Sequence, residues 1–410
     1  MRALVVLTLL LAAPVSAQTF GALQQDARPF VPSLEARAMG GAVAAVPSAE
    51  TAFFYNPAHL AHAEGRLRLT VLGAGVGLSQ TVNEAWAYWK DDLQPAVEEG
   101  LGEIRENDPE RLDALYDEAF EIGRRPTVVR LSAYGPSFSA PVAPGWTAGA
   151  GLFGHATTRL QFSDAGARVP YVDLFSQADV IVPLAAAMRI PGAPVPLAVG
   201  ATASYTRRYL TAKSALVESL DPDEEHLYVL TGSTLALDLG VHAQDVGVRG
   251  LDLGGAVYGL LGGGFTYRYG SRIDLTGEGG PDDAAEIEAL EARFNERSGA
   301  PTLRLGAAYR VPLPENVAPL GLTVAADYVS ASSSEYGQAV GAHLRLGAAV
   351  DLGKRLAFRT GLSQGRPSVG ASLTLPGIRL DYAFFGVEDG RTAGQLPRSN
   401  HALQLRFGRF

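Results

Sequence analysis

Few residues of this chain have the type and spacing that chemistry at a site requires. His59 and His62 stand three residues apart, as two metal ligands on one helical turn would, but no third ligand lies near them in the sequence. The chain has no cysteine, which excludes disulfides, thiolate metal sites and cysteine nucleophiles. A nucleophile elbow, a Walker loop and an HExxH motif are also missing from it. We therefore predict that the protein is not an enzyme and holds no cofactor and no metal ion.

The segments that would position any site alternate between apolar and small or charged residues. In 302–311, 343–352 and 234–242 every second residue is apolar. Successive side chains of a strand point to opposite faces, so this period of two predicts β-strands. The face opposite the apolar one carries single charged residues, which we interpret as wall electrostatics rather than acid–base groups: Asp238, Arg304, Arg310, Asp327, Arg345 and Asp351. Alternation alone fits a soluble sandwich or a membrane barrel.

The lengths of the connections favour the barrel. About 14 candidate strands follow residue 66, an even number as in bacterial outer-membrane barrels. Long or polar connections alternate along the chain with short ones rich in glycine and proline, such as 140–145 and 191–194. Long loops at one end and tight turns at the other are typical of these barrels. We predict an all-β fold, a transmembrane antiparallel β-barrel over residues 66–410 surrounded by outer-membrane lipid.

The first residues have the pattern of an export signal. Arg2 precedes the apolar stretch 3–15, and small residues end this segment at Ala17. A charged start, a short apolar stretch and a small-residue cleavage site define a secretory signal peptide. We therefore predict that 1–17 is removed and that the mature chain reaches the outer membrane of a Gram-negative-type bacterium.

Two acidic insertions, 84–124 and 278–298, interrupt the predicted strands. From Glu84 to Arg124 there are 13 acidic and 4 basic residues, and from Glu278 to Arg297 there are 7 acidic and 2 basic residues. This acidity argues against a nucleic-acid partner. Apolar residues recur at helical spacing within the insertions: Trp86, Trp89, Leu112, Leu115, Tyr116, Phe120, Ile287, Leu290 and Phe294. Two interpretations stay open, namely helical lids with a stripe facing a ligand entrance, and acidic loops folded onto the barrel rim for stability.

The residues before the first strand carry a more specific pattern. Residues 34–44 read LEARAMGGAVA, and residues 52–61 read AFFYNPAHLA. These segments resemble the pattern RAMGMGGA … AxxNPAGLA of the FadL-like outer-membrane barrel superfamily. That superfamily includes long-chain fatty-acid and aromatic-hydrocarbon transporters and the PorV/PorQ proteins of type IX secretion. In this chain His59 replaces the usual glycine after Asn-Pro-Ala, and segments 251–258, 303–309 and 380–384 resemble the PorV/PorQ branch.

The resemblance implies a plug or hatch formed by residues 18–65. Small residues and a turn make such a segment compact, because Pro57 fixes φ and the side chain of Asn56 can bond to its own backbone. We assign Gly40, Gly41, Asn56, Pro57 and His59 to this plug. Whether it is a movable hatch, as in the fatty-acid transporters, or a fixed plug stays open.

The final residue resembles the terminal aromatic signal that outer-membrane barrel assembly machinery recognises. Phe410 is that residue, which makes the assembly machinery a predicted partner during biogenesis. It has the opposite parity to Leu403, Leu405 and Phe407, so a β-bulge would be needed to bring it onto their face.

Two functions fit the sequence. The plug and the apolar residues of the insertions favour passive uptake of hydrophobic small molecules, which is what the resemblance implies. The alternative is a PorV/PorQ-like component of protein secretion or surface assembly, whose partners would be secreted proteins and which would transport no small molecule.

Overall fold

The protein is represented by a computed structural model that describes residues 31–48, 52–62, 67–123, 125–164, 170–216, 226–261, 264–274, 283–295, 301–313, 320–330, 343–388 and 397–410. The predicted signal peptide 1–17 and residues 18–30 of the predicted plug lie outside these ranges. Within them, the strands are β1 Arg68–Ser79, β2 Thr127–Ala143, β3 Trp146–Asp164, β4 Pro170–Arg189, β5 Leu197–Leu216, β6 His226–Ala243, β7 Leu251–Tyr258, β8 Thr266–Asp274, β9 Thr302–Arg310, β10 Leu320–Val329, β11 Leu344–Leu352, β12 Leu356–Ser363, β13 Arg366–Leu375, β14 Ile378–Glu388 and β15 Pro397–Arg409.

The strands form one antiparallel sheet that closes on itself. β1 pairs with β2 on one side and with β15 on the other, and the ring is completed by the pairs β5–β6, β6–β7 and β7–β9. β7 and β8 occupy one position in the ring, because β6 pairs with β7 through 239–243 and with β8 through 226–233. The barrel therefore has 14 strand positions, as predicted from the sequence.

One predicted strand is broken. One of the candidate strands that the sequence predicts spans residues 250–276, but the chain leaves the sheet after Tyr258 and returns at Thr266. Gly259 adopts a φ of 70°, which turns the backbone out of the extended conformation at the break. β9 begins at Thr302, which pairs with Tyr258 at the end of β7, so β9 pairs with β7 and does not pair with β8.

The outer surface of the barrel is apolar. Leu184, Leu235 and Leu305 are 60%, 67% and 50% exposed. Along β15, exposed Leu403, Leu405 and Phe407 alternate with residues buried inside the barrel. Apolar side chains that alternate outward around a closed sheet are the surface that lipid requires. The protein is therefore a transmembrane antiparallel β-barrel, as predicted.

The helices lie at the barrel ends and inside it. α1 Leu34–Ala38 and a 3-10 helix Pro57–His62 precede β1. The connection between β1 and β2 contains α2 Thr81–Tyr88, a π-helical turn Trp89–Leu93, α3 Gln94–Glu99, α4 Leu101–Asn107 and α5 Pro109–Gly123, and α6 Ala284–Asn295 follows β8. The helical insertion thus begins at Thr81, before the predicted start at Glu84. None of the described helices is long and apolar enough to cross a membrane.

The two ends of the barrel differ. β1, β8 and β10 end, and β2, β9 and β11 begin, at the end of the barrel where the long connections leave the sheet, here called the long-loop end. The connections 144–145 and 376–377 lie at the other, here called the short-turn end. α1 packs against β12–β14 and the 3-10 helix packs against β3–β6, so the segment before β1 crosses the lumen. Its buried side chains form one core with those of the wall.

Candidate functional site

The plug, defined here as residues 31–48 and 52–62, rests on glycines of the barrel wall. A Cβ added at Gly254 would lie 1.9 Å from the carbonyl oxygen of Ala44, and one at Gly361 would lie 2.2 Å from the amide nitrogen of Gly40. At these two glycines the backbone of the plug therefore lies directly against the backbone of the wall, and a side chain on either glycine would push the two apart. The same close approach to plug atoms occurs at other wall glycines, which together we call the glycine seat: Gly149, Gly200, Gly240, Gly254, Gly306, Gly347, Gly361 and Gly370.

Gly40 and Gly41, both predicted plug residues, turn the chain after α1. Their φ values are 63° and 88°, in the left-handed region that glycine adopts without strain. The amide of Gly41 donates to the carbonyl of Ala36 at 2.7 Å, which ends α1 with a closed turn. Gly40 then lies against Leu346 and Leu362 of β11 and β12, whose backbone atoms would be 2.6 Å from an added Cβ.

Asn56, Pro57 and His59 hold the second half of the plug. The Asn56 amide donates to the carbonyls of Ala44 at 2.8 Å and of Val241 on β6 at 3.0 Å, while its oxygen accepts from the amide of Ala58 at 3.1 Å. His59 Nε2 donates to the Ala44 carbonyl at 3.0 Å, since a carbonyl only accepts. All three predicted residues are buried, and Asn56 and His59 tie the two halves of the plug together at the Ala44 carbonyl.

Charged wall residues anchor the first half of the plug. Both amides of Val43 and Ala44 donate to Asp327 Oδ2 at 2.9 Å. Arg304 Nη1 lies 3.5 Å from the same oxygen and donates to the carbonyl of Gly41 at 2.8 Å. The sequence predicts Arg304 and Asp327 only as wall charges, because their parity places them in the lumen without showing what they meet there.

Glu35 on α1 was missed by the sequence analysis. Its carboxylate accepts from Arg359 at 2.6 Å, from Arg379, and from the Ser48 hydroxyl at 3.1 Å. Burial alone would raise the pKa of Glu35, but Arg379 and Arg359 hold it well below its usual range. Because the folded-state pKa is lowered, this attachment of the plug persists as pH falls through the ordinary range of a glutamate and is lost only in stronger acid.

Three histidines, His59 and His62 of the plug and His242 of β6, lie together near the short-turn end. His242 Nε2 donates to the Ala45 carbonyl at 3.2 Å, so its Nδ1 accepts from His62 Nε2 at 2.8 Å. Burial, with His242 next, lowers the pKa of His62 to about 3, so it is neutral near pH 7. Within the described ranges, no group of three or more histidine, aspartate or glutamate residues is arranged to hold a metal ion. The histidines act as hydrogen-bonding groups that fix the plug.

A cavity of about 330 Å³ lies at the short-turn end between the plug and a wall that includes β1–β3, β10–β12, β14 and β15. Four adjacent strands of this wall, β14, β15, β1 and β2, carry no member of the glycine seat, whose members lie on β3, β5–β7, β9 and β11–β13. One side of the cavity is an aromatic wall made of Phe53, Phe54, Tyr134 and Phe153. The Phe54 and Phe153 rings meet edge to face with centroids 5.1 Å apart, and Tyr134 and Phe153 are 6.0 Å apart.

The rest of the cavity lining is rich in arginine. Arg359 and Arg379 bind Glu35, while Arg379 and Arg406 bind Asp381 at 3.1 and 2.6 Å. Buried arginines and carboxylates therefore alternate along this part of the lining, in the order Arg359, Glu35, Arg379, Asp381 and Arg406. Arg68 and Arg409 also line the cavity, and we use the name cationic wall for Arg68, Arg359, Arg379, Arg406 and Arg409. Asp351 is a further lining residue.

Phe410 lines this cavity. Its ring lies 5.6 Å from the guanidinium of Arg406, a residue that points into the lumen. The register shift at this seam falls in β1, between Thr70 and Leu72. Phe410 therefore lies on a different face from Leu405 and Phe407. Its role as an assembly signal stays a prediction.

The first helical insertion forms its own small core above the long-loop end. Leu112 and Leu115 are buried against Tyr88 and Ile104, and the Tyr88 hydroxyl donates to the Leu115 carbonyl at 2.7 Å. Tyr116 and Phe120 are half-buried beside them. Of the predicted ligand-facing residues of this insertion, the tryptophans lie on its surface, with Trp86 67% and Trp89 44% exposed.

The second helical insertion enters the barrel mouth. Phe294 of α6 is 2% exposed and packs against lumen residues of β4, β5, β6 and β8, namely Phe175, Leu210, Leu230 and Tyr267, with Leu290 beside it. Ile287 is half-buried one turn earlier. Two predicted residues of this helix, Leu290 and Phe294, therefore lie inside the mouth.

Side chains of α6 bond the edge of β8 that β9 leaves uncovered. Asn295 accepts from the Tyr267 amide at 2.7 Å and donates to the Tyr267 carbonyl at 3.0 Å, as a neighbouring strand would. Glu291 accepts from the amide of Tyr269 at 2.6 Å. An exposed strand edge otherwise offers unpaired donors and acceptors to other chains. α6 therefore closes the broken position of the wall.

Replacing Asn295 by alanine should loosen this closure. A lost hydrogen bond that leaves a backbone group unpaired costs about 1–3 kcal/mol, so we expect amide hydrogen exchange at Tyr267 to accelerate roughly tenfold or more. Glu288→Ala is the matched control, because Glu288 lies on the exposed face of the same helix. Hydrogen exchange with mass spectrometry makes the comparison, and equal rates in both variants would show that α6 does not protect β8.

The fold and the lumen define a plugged transmembrane β-barrel. No family model matches the chain, and no curated protein is significantly similar to it in sequence. Solved structures are similar in fold. The toluene transporter TbuX of Ralstonia pickettii has a TM-score of 0.50 at 12% identity, with 92% of this chain and 98% of that chain covered.

Two further solved structures are also similar to this chain in fold. The toluene transporter TodX of Pseudomonas putida has a TM-score of 0.50 at 12% identity, and a mutant of the TodX monoaromatic hydrocarbon channel has 0.51 at 13%, each with 92% of this chain and 98% of the other covered. The chain has a FadL-like barrel fold, as the resemblance of residues 34–61 predicted. The likeness of later strands to PorV/PorQ stays a prediction.

Proposed function

We propose that the protein mediates passive uptake of hydrophobic small molecules across a bacterial outer membrane, along the margin of its plug. The observation that carries the proposal is the cavity of about 330 Å³ at the gap in the glycine seat, with its aromatic wall of Phe53, Phe54, Tyr134 and Phe153. A water-filled porin has a polar lumen, whereas this plug and wall share one apolar core. An apolar solute gains from leaving water for such a surface.

The orientation and the structural likeness support the same function. In bacterial outer-membrane barrels the short turns face the periplasm and the longer loops face outward. The cavity then lies on the periplasmic side, and α6 and the first helical insertion lie at the outer mouth. The similar barrels TbuX and TodX are described as toluene transporters. Their low identity leaves this chain's substrate to be argued from its own cavity.

The test is uptake by cells of a Gram-negative host whose outer membrane excludes toluene. We expect the protein to raise the initial rate of toluene uptake and to leave uptake of glycerol, a hydrophilic solute, unchanged. A variant without residues 31–62 should admit both solutes, because the lumen then holds no plug. Unchanged toluene uptake by the correctly folded intact protein would reject the proposal. Mislocalised surface proteins after deletion of the gene, with normal toluene uptake, would favour the secretion role instead.

A further inference from the structure

We propose that the outer face of the barrel carries a binding site for the phosphate of a lipid in the leaflet at the long-loop end. The site lies over β6, between Arg207 of β5 and Arg268 of β8. It is separate from the cavity beside the plug, and its occupant is a lipid of the membrane rather than a transported solute. The geometry that supports it is the placement of two exposed guanidinium groups on either side of one strand, on a part of the outer wall that carries no carboxylate.

Alternation along β5 places Arg207 on the outer face. Tyr205 and Tyr209 are 45% and 42% exposed, whereas Thr206 and Arg208 between them are buried inside the barrel. Arg207 has the parity of the two tyrosines and is exposed with them. Its guanidinium lies 5.8 Å from the centre of the Tyr209 ring, a cation–π distance, so the side chain leans toward the next outward residue of its strand.

Arg268 lies on the same face, two strands away. It is exposed, while its neighbour Tyr267 is buried in the core at the barrel mouth. β6 separates the two arginines, since Thr231 pairs with Tyr209 on one side and with Arg268 on the other. Neighbouring strands are about 4.8 Å apart, so a group bound over Thr231 would have the Arg207 guanidinium on one side and Arg268 on the other.

The charge on this part of the wall is entirely positive. On the outward positions of β4–β8, the charged residues are Arg207, Lys213 and Arg268. Lys213 lies further along β5 toward the long-loop end and donates to the carbonyl of His226 at 3.4 Å. Within the part of the chain that the structure describes, no carboxylate bonds to Arg207 or to Arg268. The two guanidinium groups are therefore available to an anion from outside the described residues.

The two arginines lie at the height where the apolar belt ends. Arg207 is ten residues from Leu197, the first residue of β5 at the short-turn end, which is about 33 Å along the strand and roughly 25 Å along the axis of a barrel with strands tilted about 40°. The apolar band of such barrels is about 25 Å tall, with aromatic residues at its rims. On β6 the outward residue below this level is Leu235, 67% exposed, whereas Ser233 and Thr231 lie at it. Lipid headgroups occupy this height.

A lipid phosphate fits this arrangement. The planar fork of a guanidinium group binds phosphate oxygens in pairs, and the hydroxyls of Thr231 and Ser233 can each donate one more hydrogen bond. Basic residues at a membrane surface attract anionic lipids in general. The acyl chains of the same lipid would lie on the apolar wall below, where Leu235 is exposed. A free phosphate would lack this second contact.

Titration of the full chain in detergent micelles with two matched lipids tests the proposal. The lipids are lipid A with its phosphates and the same lipid A after enzymatic dephosphorylation, so they share their acyl chains and differ in charge. Native mass spectrometry measures the bound fraction and gives each dissociation constant. We expect the phosphorylated lipid to bind roughly tenfold or more tightly, as one charge-assisted hydrogen bond implies.

Variants locate the phosphate. The double variant Arg207→Gln/Arg268→Gln should weaken lipid A roughly tenfold and leave the dephosphorylated lipid unchanged. Arg249→Gln is the matched control, because Arg249 is an exposed arginine in the turn between β6 and β7 at the short-turn end. Tyr209→Leu removes the ring beside Arg207 and should weaken lipid A severalfold, whereas Tyr209→Phe keeps the ring and should not. Cold gel electrophoresis confirms that each barrel is folded.

Three outcomes would overturn the inference. Equal affinity for the two lipids would show that the wall contacts acyl chains alone. The same loss of lipid A binding in Arg249→Gln as in the double variant would show a response to net charge rather than a site. Displacement of lipid A by an excess of inorganic phosphate would show an anion site that does not need the lipid.

Discussion

Replacement of Gly254 by alanine is expected to open the barrel to ions. The new Cβ would lie 1.9 Å from the carbonyl oxygen of Ala44 and 2.8 Å from the Cα of Ala45, and neither backbone atom can turn aside as a long side chain could. Over-packing of this kind costs about 1–3 kcal/mol or more. If the wall keeps its shape, this free-energy cost destabilises the state in which the plug contacts the glycine seat. The fraction of molecules whose plug has left the seat then rises roughly 5- to 150-fold.

Ion conductance in planar bilayers measures this fraction. Gly77→Ala is the matched control, because Gly77 also faces the lumen and an added Cβ there would meet its neighbours at 3.5 Å, an ordinary contact. Cold gel electrophoresis that shows a folded barrel separates an unseated plug from a misfolded chain. Conductance of Gly254→Ala equal to that of Gly77→Ala, with both barrels folded, would show that the plug adapts without leaving its seat.

The alternation of apolar with small or charged residues was sufficient to predict the strands of the barrel wall. It placed Leu344 and Leu346 of β11 on one face, and both are exposed on the lipid side. The same rule does not reveal the interruption, although the run Gly262-Gly263-Gly264 is a glycine-rich signal that could have indicated it. The break coincides with the turn at Gly259 and with the first residue of β9, Thr302, which pairs with Tyr258 and lies more than forty residues further along the chain.

The plug was predicted from local sequence, but its anchors were not. Gly40, Asn56 and Pro57 form turns with their own neighbours, so their residue types are informative. Glu35 and its partner Arg379 are separated by 344 positions, and Ala44 and Asp327 by 283. Parity shows only that Arg379 and Asp327 face the lumen. Which plug atom each one meets is decided by closure of the barrel, which no local pattern contains.

The glycine seat and the anchors limit how the plug can move. Ala44 is held by Asp327 at its amide and by Asn56 and His59 at its carbonyl, and that carbonyl also presses on Gly254. A hatch that swings open would have to break these contacts together. The path that we propose along the cavity would break none of them, since Ala44, Asp327 and Gly254 are not among the residues that line the cavity. The contacts therefore favour a plug that stays seated while solutes pass its margin.

Replacement of Asp327 by alanine should release the first half of the plug. It leaves the amides of Val43 and Ala44 without their acceptor and Arg304 without its buried partner. Breaking a buried pair in this way costs about 3–5 kcal/mol. We expect hydrogen exchange at Val43 and Ala44 to accelerate by roughly two to three orders of magnitude. Asp327→Asn keeps one oxygen acceptor and should accelerate it less.

Asp351→Ala is the matched control, because Asp351 lies on the neighbouring strand β11 and lines the cavity. Exchange as fast in Asp351→Ala as in Asp327→Ala would contradict an anchoring role for Asp327. The double variant Gly254→Ala/Asp327→Ala then separates two modes of motion, since both changes act on Ala44. If the plug leaves its seat as one unit, the double variant should exchange less than the two single effects combined predict, because the second change acts on a plug already released. Additive effects on the exchange free energy would mean that the contacts of Ala44 with Gly254 and with Asp327 break independently. The plug would then unfold locally instead of opening as a hatch.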